Sequence, residues 1–124
     1  MAVNNDECTE RIIACAYKVS NALGCGFLEK VYENALANEL RKCGFAVKQQ
    51  VAIQVKYDDD VVGNYVADLL VSDSVIVELK AVTDLNAVHA AQTLNYLKAT
   101  GLKVALLFNF GKTKIEVRRF VNQF

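Results

Sequence analysis

The sequence predicts an α/β fold: a central mixed sheet flanked by helices, in which an antiparallel meander gains one parallel strand after a crossover helix. Three observations lead there. Two stretches near the start repeat their apolar residues every three or four positions, the mark of amphipathic helices. Three β-branched-rich segments follow with short polar breaks between them, which reads as a meander. The last third holds a helical stretch and then the near-continuous apolar run from Leu102 to Asn109. That run is the pattern of a strand buried on both faces, laid parallel to an earlier one through a right-handed crossover.

The first helix is predicted over about Asp6–Leu23, with Cys8, Ile12, Cys15, Ala16 and Val19 on one face, and Gly24-Cys25-Gly26 stops it. The second covers about Leu28–Cys43, with Leu28, Val31, Tyr32, Ala35 and Leu36 on one face, and Gly44 closes it. At about 100° per residue Glu29 falls between Leu36 and Leu40, so its carboxylate sits at the rim of the apolar face. From Val47 to Tyr57 the odd positions are mainly apolar and the even ones carry Lys48, Gln50, Gln54 and Lys56, which predicts a half-exposed, peripheral strand. Asp58-Asp59-Asp60 lacks the spaced ligands of a calcium loop and reads as a solvated turn. Two strands, Tyr65–Val71 and Val75–Ala81, meet at Ser72-Asp73-Ser74 in a hairpin. A helix over about Leu85–Thr100 begins near Asp84 or Asn86 and ends at Gly101. After the parallel strand, Phe110-Gly111-Lys112-Thr113 turns into a last short strand, Lys114–Phe120.

The 124 residues make one domain, spanning 1–124, long enough to bury a single core. With 53% apolar and 23% charged residues the chain is of ordinary globular composition. Its start, Asn4-Asn5-Asp6-Glu7, is too polar for a signal peptide, and no apolar run reaches the roughly 20 residues of a membrane helix. A cytoplasmic protein is expected. Fourteen basic residues balance fourteen acidic ones, which disfavours binding to nucleic acid by overall field but leaves room for a local site. Cys8, Cys15, Cys25 and Cys43 contain no C-x-x-C pair and the chain has one histidine, so no zinc motif is assembled. Cys8 and Cys15 read as small apolar core residues.

The hairpin carries the chemistry. If Ser72-Asp73-Ser74 is a three-residue loop, Val71 pairs with Val75 and Asp68 lies opposite Glu78. Lys80 shares their face, whose other members Val66, Leu70, Ile76 and Val82 are apolar. Two carboxylates about 5 Å apart repel by roughly 3 kcal/mol at an effective dielectric near 20, and removing them from water costs more. A divalent cation is the natural compensation.

Asp68, nine intervening residues and Glu78-x-Lys80 resemble the PD-(D/E)-x-K signature of restriction-endonuclease-like phosphodiesterases. Gln92-Thr93-Leu94-Asn95-Tyr96, on the helix after the lysine, resembles the Q-x-x-x-Y motif of RecB-like nucleases. Gly26-Phe27-Leu28-Glu29-Lys30-Val31-Tyr32 matches the G-x-x-E-x-x-Y string of the GxxExxY protein family, a minimal branch of the same superfamily. The likeness runs from Gly26 to about Gly111, with Ala67 standing where the signature's name has proline. It implies a metal-dependent nuclease acting on phosphodiester bonds, with DNA expected because most of the superfamily acts on DNA. Asp68, Glu78 and the Leu79 carbonyl would hold Mg²⁺ or Mn²⁺, with Glu29 in direct or water-mediated contact. Lys80 would orient or help deprotonate the attacking water, and Gln92 would position water or phosphate.

His89 and Tyr96 on that helix, and Lys112 and Lys114 in the last turn, are read as candidate phosphate contacts; Arg118 and Arg119 would extend a basic track. Tyr32 and Tyr96 are expected to brace their helices. A homodimer is plausible on chemical grounds, because cutting a duplex needs two active sites. The rival reading is a non-catalytic binding module that keeps the fold and a vestigial metal site, consistent with neutral charge and small size. Against it stands the self-repelling acidic site, which binding alone does not require.

Overall fold

In the computed structural model, which describes residues 5–122, the chain runs α1 (Asn5–Leu23), α2 (Glu29–Lys42), β1 (Val47–Tyr57), β2 (Asp60–Val71), β3 (Val75–Lys80), α3 (Ala87–Thr100), β4 (Val104–Asn109) and β5 (Glu116–Val121). Asn4 of the polar start lies outside the described residues. One sheet holds the strands in the order β1-β2-β3-β4-β5. All neighbours are antiparallel except β3 and β4, which are parallel and joined through α3. This is the predicted mixed sheet. Among the described residues no helix is long and apolar enough to cross a membrane.

The sheet has helices on both faces. Alternation sends Leu69, Val71, Val75, Val77, Leu79, Val104, Leu106 and Phe108 towards α1 and α2, where Ile12, Ala16, Tyr32, Leu36 and Leu40 complete the main core. On the other face Ile76 and Ala105 pack with Ile53, Ala67, Tyr96 and Leu97 in a smaller cluster beneath α3. Cys8 and Cys15 are buried in the main core as free thiols.

Several boundaries differ from expectation, each for a local reason. β2 starts at Asp60 rather than Tyr65, because only Asp58 and Asp59 form the turn. Both have positive φ, 49° and 69°, the two-residue geometry whose twist matches the flanking strands. α3 starts at Ala87 rather than Leu85, since Asn86 caps it, accepting from the Val88 and His89 N–H groups at 3.0 and 3.1 Å. His89 returns the bond: its Nδ1 accepts from the Asn86 N–H at 3.2 Å. β4 begins at Val104, after Leu102 has packed into the smaller cluster. The β4–β5 ladder reaches only Asn109 opposite Glu116, which leaves Lys114 in the turn rather than in β5.

The exit of β3 is clamped by buried polar groups. Asn109 is fully buried; its Oδ1 accepts from Val82 and Gly111 N–H at 3.0 and 2.9 Å. Its Nδ2 donates to the Val82 carbonyl and to Glu116, each at 2.9 Å. The Phe110 N–H adds a bond to the Lys80 carbonyl at 2.8 Å. Gly111 permits this close approach, since a Cβ there would run into the Val82 backbone and lie 2.8 Å from the Ala81 carbonyl carbon. Gly111→Ala is therefore expected to cost about 1–3 kcal/mol, the range for overpacking, and to lower the melting temperature. An unchanged melting curve would show that the segment after Lys80 moves aside freely.

Candidate active site

The hairpin has the predicted register at its turn: Val71 pairs with Val75, Leu70 with Ile76 and Leu69 with Val77. There the ladder stops, one pair short of the expected Asp68 opposite Glu78. The carboxylates themselves replace the missing rungs. Glu78 Oε1 accepts from the Asp68 N–H at 3.1 Å, and Asp68 Oδ2 accepts from the Leu79 N–H at 2.8 Å.

β1 is irregular beside the break. Gln49 pairs with Leu69 and Val51 with Ala67, but Gln50, between them, has φ 55°. A residue turned into the left-handed region reverses the strand's alternation. Accordingly Ile53 and Ala67 lie on the α3 face, whereas Val47, Leu69 and Val71 lie on the α1/α2 face. Asp68 occupies the point of reversal. For the same reason the expected apolar face does not form as one surface: Ile76 is buried and Val66 is exposed.

Glu33 holds Gln50 in place. Its carboxylate is 3% exposed and accepts from Gln50 Nε2 at 2.6 Å, Gln49 Nε2 at 2.7 Å and Lys30 Nζ at 3.0 Å. The sequence reading missed this residue. Its position was the available signal, because Glu33 stands three, four and seven residues before the buried Leu36, Ala37 and Leu40. A polar residue on such a face needs a partner.

Four of the expected residues share one electrostatic neighbourhood. Glu78 is 5% exposed, and burial, then the charge of Asp68, pushes its carboxyl up to about 9. Asp68, half-buried, is raised chiefly by burial and held back by the Leu79 N–H and by a hydrogen bond from Glu78. Glu29 enters from the first turn of α2; burial raises its carboxyl, the Lys80 charge opposes this, and Asp68 and Glu33 add to the rise. Half-buried Lys80 is the cation among these acids.

From α3, Gln92 and Tyr96 stand one turn apart on the same side of the helix. Burial, then the charges of Glu78 and Asp68, pushes the Tyr96 phenol up to about 12, so it remains protonated across the physiological range. Tyr32 is a brace: its hydroxyl donates to the Gly24 carbonyl at 2.6 Å and accepts from the Phe27 N–H at 3.2 Å, and its ring stacks on Phe110.

The remaining candidates lie elsewhere. His89 serves the α3 cap. Lys112 pairs with Asp84 at 3.0 Å and with Glu116 at 3.8 Å. Lys114 is exposed in the last turn, and Arg119 pairs with Asp6 on α1 at 2.7 Å.

Among the described residues no group of three or more histidine, cysteine, aspartate or glutamate side chains is arranged to hold a metal. The donors present nevertheless fit a hard cation. Asp68 and Glu78 supply oxygens only, each commits one oxygen to a backbone N–H, and a buried carboxyl that prefers its proton is a group a cation would relieve. Mg²⁺ commonly takes one or two carboxylates and completes its shell with water and other oxygens, such as the Leu79 carbonyl.

The fold has counterparts among solved structures. The crystal structure of SSO0001 superposes with a TM-score of 0.58 at 14% identity, over 77% of this chain and 51% of that one. An alkaline exonuclease (LHK-Exo) from Laribacter hongkongensis gives 0.57 at 14% identity, over 76% and 56%. The chain thus spans about half the length of these structures, and at such identity the likeness speaks to fold alone. No curated protein matches the sequence. The motif on the broken hairpin, the Gln92–Tyr96 turn and this fold agree with the family match, which runs over residues 6–120: the chain belongs to the PD-(D/E)XK nuclease superfamily.

Proposed function

We propose that this protein is a divalent-metal-dependent nuclease that hydrolyses phosphodiester bonds in DNA, and that its site is built from Asp68, Glu78 and Lys80. The observation that carries the reading is the carboxyl pair at the hairpin break, buried against its own desolvation cost with a lysine beside it. A structural ion-pair cluster gives no comparable return, since buried charges rarely outperform apolar packing. Membership of a nuclease superfamily supports the same class of chemistry. The narrower GxxExxY assignment, resting on Gly26 to Tyr32, is part of this proposal.

Asp68, Glu78 and the Leu79 carbonyl would hold Mg²⁺ or Mn²⁺, with Glu29 joining directly or through water. A bound cation supplies Lewis acidity to the phosphoryl oxygens and a more acidic water. Lys80 directs its ammonium N–H groups at the attacking water and the developing phosphoryl charge. Gln92, one turn before Tyr96 on α3, would offer an amide to water or phosphate. Lys112, Lys114 and the Nε2 edge of His89 would meet more distant phosphates.

Calorimetric titration of Mn²⁺ into wild type and Asp68→Ala tests the metal site without requiring a substrate. Binding in the wild type, weakened at least ~10-fold in the variant, is expected by comparison with the loss seen when groups supporting a metal ligand are removed. No heat in the wild type would favour the non-catalytic module.

A further inference from the structure

The thiols of Cys15 and Cys43 meet between the first two helices. Cys15 donates its S–H to Cys43 Sγ at 3.6 Å, across a separation of 28 residues in the chain. Two cross-helix bonds bracket the sulfurs. Arg11, one turn before Cys15 on α1, donates to the Cys43 carbonyl at 2.7 Å, and Lys18, one turn after Cys15, bonds Glu39, one turn before Cys43, at 2.6 Å. The register of α1 on α2 is thus held on either side of the pair. The two thiols differ in access: Cys15 is 5% exposed in the core, whereas Cys43, at the C-cap of α2, is exposed.

We propose that Cys15 and Cys43 form an oxidisable dithiol, which a small disulfide such as oxidised glutathione converts into a covalent bridge between α1 and α2. Cys43 reacts first, because of the two only it is open to a reagent. Its thiolate attacks one sulfur of the external disulfide, whose S–S bond breaks; one thiolate leaves and takes up the proton that Cys43 gave up. Cys15 then loses its proton, attacks Cys43 Sγ and expels the second thiolate, which takes up that proton. Two protein thiols are oxidised and one external disulfide is reduced to two thiols. Burial, then the hydrogen bond to Cys43, pushes the Cys15 thiol up to about 12, which makes the second step the slower one. Nearness offsets this, since the sulfurs already touch. The bridge closes a long loop of chain and so removes conformational freedom from the unfolded state. Glu29 stands at the other end of α2, about 20 Å away along the helix axis, so the bridge staples the helices without drawing on the acidic site. In a reducing compartment the pair stays as thiols and the staple is absent.

Folded wild type is treated with oxidised glutathione, quenched with acid, unfolded and alkylated, and its cysteine peptides are mapped by mass spectrometry. A cross-linked Cys15–Cys43 peptide is expected, lighter by two hydrogens than the sum of the reduced peptides and lost on treatment with dithiothreitol. The same peptide should form in Cys25→Ser, which removes the other exposed thiol. In Cys43→Ser, Cys15 should remain open to alkylation once the chain is unfolded. The bridged protein should melt roughly 5–15 °C above the reduced one, and Cys43→Ser should show no such rise on oxidation. Glutathione retained on Cys43, Cys43 joined to a cysteine other than Cys15, or free thiols at both positions overturns the proposal. A bridge that forms only after unfolding in urea, or one that leaves the melting temperature unchanged, does the same.

Discussion

Lys80→Ala is expected to lower metal-dependent cleavage by about 10²- to 10⁴-fold, the usual contribution of a positioned group that handles a proton or a developing charge. The fold should survive the change. Lys80 is the last residue of β3, its backbone is paired with Asn109 in the parallel ladder, and its carbonyl is held by the Phe110 N–H, so none of the strand's bonds uses the side chain. Mn²⁺ binding should also persist, because the oxygens of Asp68 and Glu78 remain. The measurement is cleavage of labelled single-stranded, duplex and branched DNA with Mg²⁺, Mn²⁺ or EDTA, with wild type and variant purified identically to expose contaminating nucleases. Equal rates for both proteins would remove Lys80 from the mechanism.

The second large effect concerns stability. Glu78→Gln is expected to stabilise the metal-free protein at neutral and mildly alkaline pH. Burial and the Asp68 charge lift the folded carboxyl to about 9 from an ordinary value of 4.5. Between those values the folded chain keeps a proton that the unfolded chain has lost, so unfolding free energy falls as pH rises, by up to roughly 1.4 kcal/mol per unit for this group, and levels off above about 9. Asp68, also raised, adds a slope of the same sign at lower pH. Glutamine keeps an oxygen for the Asp68 N–H and removes the titration. Melting temperatures of both proteins in EDTA from pH 5 to 9 should diverge progressively, with the variant higher by several degrees at the alkaline end. Parallel curves would show that Glu78 ionises in the fold at little cost. Mn²⁺ should restore wild-type stability at high pH, since a ligand that binds only the folded state stabilises it by mass action.

The features legible in the amino-acid order were those set by near neighbours. Periodicity located both N-terminal helices, the cap and stop residues Asn86 and Gly101 located α3, the apolar run of β4 announced a strand covered on both faces, and Ser72-Asp73-Ser74 placed Val71 against Val75. The spacing of Asp68, Glu78 and Lys80, with Gln92 and Tyr96 on the next helix, also pointed to the superfamily. Capping was legible in part: Asn86 was an expected start for α3, but a histidine closing the cap in place of glutamate or glutamine was not.

The sequence by itself therefore determined the order of elements, the core-facing stripe of α1 and the residue types of the site, because side-chain period and turn chemistry act over a few residues; on α2 the stripe holds for Tyr32 and Leu36, whereas Leu28, just before the helix, and Val31 are exposed. Only the tertiary structure decided how that site is made. Gln50, in the left-handed region, is bonded to Glu33 from another element, and beside it the β2–β3 ladder stops one pair early, with Asp68 and Glu78 accepting backbone N–H groups instead of facing each other across a rung. A groove lined by Lys56, Tyr65 and Tyr96 likewise arises only where β1 and β2 meet α3. Contacts between elements distant in the chain carry no period, and burial, which sets the protonation of Glu78, exists only once those elements have packed.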